Sequence, residues 1–200
     1  IRRVVRDDLP RMEIDLHHCT LEPSFYSERY GFQGRLDLLH MLPDSGEAKI
    51  VELKSGRLPY PPGDDGKIAL NHEVQTAIYR MMIEGVFGLD RHSLKAAILY
   101  SAGNRQGTNL RFAAVWQDLE SQITVMRNRI VAHEQALMRG DNQSVEALFN
   151  GLFATADGTE KVPALYRSRV NEMSDLLARY SELEKAYFYR FISFVTRELY

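Results

Sequence analysis

At 200 residues and 44% apolar content the chain can bury a substantial core. No apolar run approaches the roughly 20 residues that cross a bilayer, so no membrane partner is expected. The net charge of −2 argues against a module whose sole task is gripping nucleic acid, although a carboxylate-built site lowers that total. The single cysteine, Cys19, excludes an internal disulfide and any four-cysteine zinc or iron–sulfur site within the chain. It also fits a reducing, intracellular compartment, whether a bacterial or archaeal cytoplasm or a nucleus.

The opening Ile1-Arg2-Arg3-Val4-Val5-Arg6 is too charged for a secretory signal, and a first residue other than Met reads as excision from a longer protein. From about Arg29 to Met41 apolar and polar residues alternate, and Pro43-Asp44-Ser45-Gly46 is strong turn chemistry. Ala48 to Lys54 resumes as a strand, which predicts an antiparallel hairpin. Ser55 to Leu70 is rich in Pro, Gly and Asp and reads as a loop. Asn71 is the expected cap of a helix running to about Val86, ended by Gly85, Gly88 and Asp90.

Leu94 to Tyr100 and Leu110 to Val115 read as two more strands, joined by the polar turn at 101–107. Trp116 to Arg139 is a long amphipathic helix closed by Gly140. After a variable stretch, Pro163 to Tyr180 and Ser181 to Tyr200 are two helices, the second opened by a Ser181/Glu184 capping box. The predicted architecture is a mixed α/β sheet flanked by helices, with a main domain over 1–160 and a helical extension over 161–200.

The chemistry concentrates in one stretch. Asp37 closes the alternating run after Gly31-Phe32-Gln33-Gly34-Arg35-Leu36, and Glu52-Leu53-Lys54-Ser55-Gly56 closes the next. Hydrolysing a phosphodiester requires negative charge to be stabilised while hydroxide arrives in line; Mg²⁺ or Mn²⁺ held by carboxylates, carbonyls and water supplies both. Asp37 and Glu52 on adjacent strands can meet at one such ion. Alternation places Glu52 and Lys54 on one face with Leu53 pointing into the core, its carbonyl left as a third oxygen ligand. Lys54 beside the metal can orient or deprotonate water and offset charge in the transition state. Gln75 and Tyr79, four apart on one helix face, can hold the phosphate or Lys54.

Asp37, Glu52-Leu53-Lys54, Gln75 and Tyr79 together resemble the PD-(D/E)XK nuclease superfamily, in its RecB-like branch with an added Gln-x-x-x-Tyr motif. The run from Tyr26 and Ser27 through Gly31 and Gly34 to Gly56 is most similar to nuclease domains of eukaryotic replication nuclease-helicases. The resemblance implies a restriction-endonuclease-like core and a metal-dependent deoxyribonuclease acting on single-stranded or end-containing DNA in repair or replication. It implies metal at Asp37, Glu52 and the Leu53 carbonyl, catalysis by Lys54, and support from Gln75 and Tyr79. RecB-like enzymes often use an upstream metal-binding histidine, for which His17, beside His18, is the candidate here. Close relatives also carry an iron–sulfur cluster, which one cysteine cannot hold. The segment from Leu183 to Phe191 resembles the lead-in to a fused or associated helicase.

Arg57 and Arg105 are candidate phosphate contacts, with Lys67 and Arg111 nearby. His72 reads as a first-turn helix residue, and His40, His92 and His133 stand without partner spacing. Tyr187, Phe191 and Phe194 recur at helical spacing as core or a docking face. The reading from a different class is a non-catalytic nucleic-acid-binding or assembly module retaining the same fold.

Overall fold

The computed structural model describes residues 4–42, 45–56, 67–102, 109–114, 117–139, 141–158 and 164–199. A π-helical turn at Val4–Asp8 runs into the one-turn helix α1 (Leu9–Arg11). The strands are β1 (Cys19–Leu21), β2 (Ser24–Ser27), β3 (Phe32–Arg35), β4 (Leu38–Met41), β5 (Ala48–Lys54), β6 (Leu94–Tyr100) and β7 (Leu110–Ala113). The longer helices are α2 (Leu70–Phe87), α3 (Gln117–Met138), α4 (Asn142–Gly158), α5 (Ala164–Ala178) and α6 (Glu182–Leu199). Two compact units divide the chain, 1–125 and 126–200.

In the first unit five strands form a mixed sheet ordered β1-β4-β5-β6-β7, and β2 and β3 form a separate hairpin. Among the described strands only β5 and β6 pair in parallel, joined by the crossover helix α2. Burial on both faces explains why β5 begins with five buried residues, Ala48 to Glu52. One face packs Leu36, Leu39, Ala48, Ile50, Leu94 and Ala96 against Met82 and Ile83 of α2. The other packs Leu38, Val51, Ala97, Leu99 and Leu110 against Leu9, Met12 and Ile14 from the N-terminal segment.

The predicted β4–β5 hairpin forms, with Leu38 opposite Val51 and Met41 opposite Ala48. The alternating run before it is not one strand. It breaks at Leu36-Asp37, where the Leu36 N–H bonds to the Pro23 carbonyl and the Glu22 N–H to the Asp37 carbonyl. The chain thereby leaves β2 as its partner and takes β1, so Asp37 sits in the gap between two strands.

Helix α2 starts one residue earlier than Asn71. Ala69 holds the cap position, and its carbonyl accepts from both His72 and Glu73. Gly88, at φ 64°, ends the helix as predicted by supplying a left-handed residue. Gly85 instead lies inside it, where a Cβ would collide with the Ser27 hydroxyl. Its absence lets the β2–β3 hairpin lie against α2.

In the second unit, α4 occupies the stretch whose sequence shows no clear helical signal. Asp141 caps it, with Oδ1 accepting from the Ser144 N–H at 2.6 Å and Oδ2 from its hydroxyl at 3.0 Å. The unit therefore begins well before 161, because α4 packs on both α5 and α6, with Phe149 edge-on to Phe188 at 5.3 Å. The Ser181/Glu184 capping box forms, the carboxylate accepting from the Ser181 N–H at 2.7 Å. Tyr187, Phe191 and Phe194 are exposed on α6, so they are not core. Among the described residues no helix is long and apolar enough to cross a membrane.

Candidate active site

The end of β5, the β3–β4 gap and the first half of α2 bring five predicted residues together. Alternation puts Glu52 and Lys54 on the sheet face that α2 covers, continuing Ala48 and Ile50. Asp37 reaches the same strand end: its Oδ2 accepts from the Leu53 N–H at 2.6 Å. That bond fixes the acid that ends one strand to the backbone of the next.

Glu52 is only 5% exposed. Its Oε1 accepts from Lys54 Nζ and from Gln75 Nε2, each at 2.8 Å. Lys54 Nζ also donates to Gln75 Oε1 at 2.6 Å. Lysine can only donate and a carboxylate can only accept, so the Gln75 amide has a single orientation that serves both. Gln75 Nε2 lies 3.0 Å from Tyr79 Oη, which itself donates to the Arg35 carbonyl at 3.0 Å. Gly34 makes room for this: a Cβ there would stand 3.2 Å from Tyr79 Cε1. Gln75 thus touches Lys54 directly, and Tyr79 reaches it only through Gln75.

The second Glu52 oxygen, Oε2, is buried and has no hydrogen-bond partner among the described residues. Burial pushes the Glu52 carboxyl above its ordinary range; the Lys54 hydrogen bond pulls it back, and the nearby Asp37 charge pushes it up again. Leaving a buried carboxylate oxygen unpaired is costly, and a cation removes that cost. Two hard carboxylates with a backbone carbonyl nearby suit Mg²⁺ or Mn²⁺. The donor set therefore fits the implied metal, although no cluster of three His, Cys, Asp or Glu side chains occurs among the described residues.

A family model of the PD-(D/E)XK nuclease superfamily matches residues 3–183. The chain belongs to this superfamily. The five-stranded mixed sheet with flanking helices is its restriction-endonuclease-like α/β fold. Members of the PD-(D/E)XK superfamily are typically nucleases that act on nucleic acid with divalent metals. No curated protein matches the chain.

Other expectations for this PD-(D/E)XK chain need correction. Leu53 does not point into the core; it is 52% exposed. It lies on the face packed by Leu9, Met12 and Ile14, and that packing stops at Val51 and Leu99. His17 is not brought to the site. It sits in a one-turn 3₁₀ segment capped by Asp15, beyond the Cys19–His40 pair. His40 is itself three residues along β4 from Asp37, roughly 10 Å at strand rise, so His17 lies at the far end of the sheet. Arg111, near the start of β7, is buried. Arg57 and Arg105 lie outside the described residues.

His72 sits in the first turn of α2, as its sequence position suggests, but it also has a partner on the sheet. Its Nδ1 lies 2.9 Å from Tyr100 Oη, and Tyr100 stands opposite Lys54 in the β5–β6 register. The signal was present, since His72, Gln75 and Tyr79 follow helical spacing on one face.

Proposed function

We propose that the chain is a metal-dependent deoxyribonuclease hydrolysing phosphodiester bonds in single-stranded or unwound DNA. In this reading it is the RecB-like nuclease part of a repair or replication nuclease-helicase. The observation that carries it is the unpaired, buried Glu52 Oε2 beside Asp37, with Lys54 held at 2.8 Å on the other oxygen. Membership in the superfamily and the order Asp37, Glu52-Leu53-Lys54, Gln75, Tyr79 support it. The strand preference and the helicase association rest on the sequence resemblance.

In this reading Asp37, Glu52 and the Leu53 carbonyl hold Mg²⁺ or Mn²⁺. The ion, when bound, supplies charge stabilisation and a lowered water pKa. The chain's own contribution is positioning. The Asp37–Leu53 hydrogen bond fixes the two ligand-bearing segments in register. Gln75, anchored through Tyr79 to the Arg35 carbonyl, holds the Lys54 ammonium where it can orient the attacking water and meet developing negative charge. Replacing Glu52 by a non-catalytic role leaves its buried oxygen unexplained, which disfavours an assembly module.

The test is a cleavage assay on end-labelled single- and double-stranded DNA with Mn²⁺, Mg²⁺ or EDTA. Metal-dependent cleavage is expected, with Asp37→Ala and Glu52→Ala slower by at least about a thousandfold, several kcal/mol of lost stabilisation. Calorimetry is expected to show weakened Mn²⁺ binding in both variants. Unchanged Mn²⁺ affinity in both would remove the proposed ligand set.

A further inference from the structure

His72 opens α2 one turn before Gln75, half-buried, with Nδ1 2.9 Å from Tyr100 Oη and the two rings 5.6 Å apart. Tyr100 is 1% exposed, so the phenol is a fixed partner. Its oxygen already receives the Ala69 N–H. Among the described residues, His72 Nδ1 is the acceptor available for the phenol's own proton. An imidazole that accepts at Nδ1 carries its hydrogen at Nε2. Burial, reinforced by the Lys54 charge, pushes the ring below its ordinary pKa.

This tautomer decides between roles. A metal-binding histidine sends Nδ1–H to an outer acceptor and turns the Nε2 lone pair to the ion. With Nδ1 accepting from the Tyr100 phenol, His72 takes the reverse arrangement and keeps its N–H donor at Nε2. Nε2 has no partner among the described residues, and the ring shares a helix face with Gln75, which accepts from Lys54, and with Tyr79, which anchors Gln75. A neutral donor held by the residue paired with Lys54, one helical turn before Gln75, has the chemistry of an anion contact.

We propose that His72, oriented by Tyr100, contacts substrate, donating from Nε2 to a phosphate oxygen of the bound nucleic-acid strand. The proposal rests on the nuclease reading and deepens it.

Two measurements test it. In the metal-free protein, two-bond ¹⁵N–¹H spectra are expected to show His72 as the neutral Nε2–H tautomer, with the preference lost in Tyr100→Phe. His72→Gln assigns the resonance. An Nδ1–H tautomer, or direct Mn²⁺ coordination at Nε2, overturns the proposal in favour of a ligand.

The second is fluorescence anisotropy with a labelled single-stranded oligonucleotide in EDTA, which prevents turnover. His72→Ala is expected to bind about tenfold more weakly, the loss of one hydrogen bond to a charged group. His72→Gln, which keeps a donor near the Nε2 position, is expected to recover most of that, with Mn²⁺ affinity unchanged in both. Equal binding by His72→Ala, or no recovery in His72→Gln, overturns the contact. A wild-type protein that binds DNA but never cleaves it with any metal sinks the nuclease reading while the His72 contact stands. Wild-type cleavage with unimpaired His72→Ala binding sinks only the contact.

Discussion

The two ends of β5 carry the same residue types and use them differently. At its start, Lys49 is buried and donates to the Glu13 carbonyl at 3.0 Å, while the Glu13 carboxylate, 3.5 Å away, is 84% exposed. At its end, Lys54 meets a carboxylate whose side chain is 6% exposed and whose second oxygen has no partner among the described residues. The first pair tethers the N-terminal segment to the sheet: water solvates the acid, and the lysine is satisfied by backbone. The second leaves charge buried and available. An acid–lysine pair becomes a candidate active site when the acid cannot reach water and a second acid stands beside it.

Substitution of the two lysines separates these roles most sharply. Lys54→Ala is expected to lower turnover by about 10²-fold or more while Mn²⁺ affinity, read by calorimetry, stays near that of the parent. Equal losses in turnover and metal binding would make Lys54 a structural support for the ligands instead.

Lys49→Ala should do the opposite, lowering stability in urea unfolding by about 1–3 kcal/mol through a lost buried hydrogen bond and lost stem packing. Its cleavage rate per folded molecule is expected to match the parent. A fall in that rate would mean that the two ends of β5 are coupled.

His40 sharpens the same contrast with pH. It pairs with Lys49 across β4 and β5, and burial, then the Lys49 and His18 charges, lower its pKa, with Asp15 opposing them. A histidine depressed in the folded state contributes stability that is whole above about pH 6.5 and is lost as pH falls through the folded value. Unfolding midpoints should therefore drop on acidification from about pH 7 to 5, and His40→Asn should flatten that slope. An unchanged slope would move the acid sensitivity elsewhere.

Leu53→Ala gives the smallest effect. The side chain is half-exposed, and only its backbone is assigned a role, so cleavage should stay within about twofold and stability within about 0.5 kcal/mol. A large loss in the same cleavage assay would show that the side chain itself shapes the strand end.

Much of the site was legible because its determinants are local. Alternation places Glu52 and Lys54 on one face whatever surrounds them, and helical spacing does the same for Gln75 and Tyr79. Gly88 ends α2, and Ser181 with Glu184 starts α6, through bonds between residues near in sequence. The sequence by itself thus determined the superfamily, the β4–β5 hairpin, the crossover helix after it, and which of these residues share a face. Tertiary structure alone decided what depends on partners distant along the chain. It split the 29–41 run, because backbone bonds to Glu22 and Pro23 compete with continued pairing. It exposed Leu53, because the N-terminal packing ends short of it, and sent His17 to the wrong end of the sheet through the β1–β4 register. It also joined His72 to Tyr100, which lies 28 residues on and meets it only once β6 pairs in parallel with β5. Period and capping act within a few residues, whereas burial and register are properties of the assembled sheet.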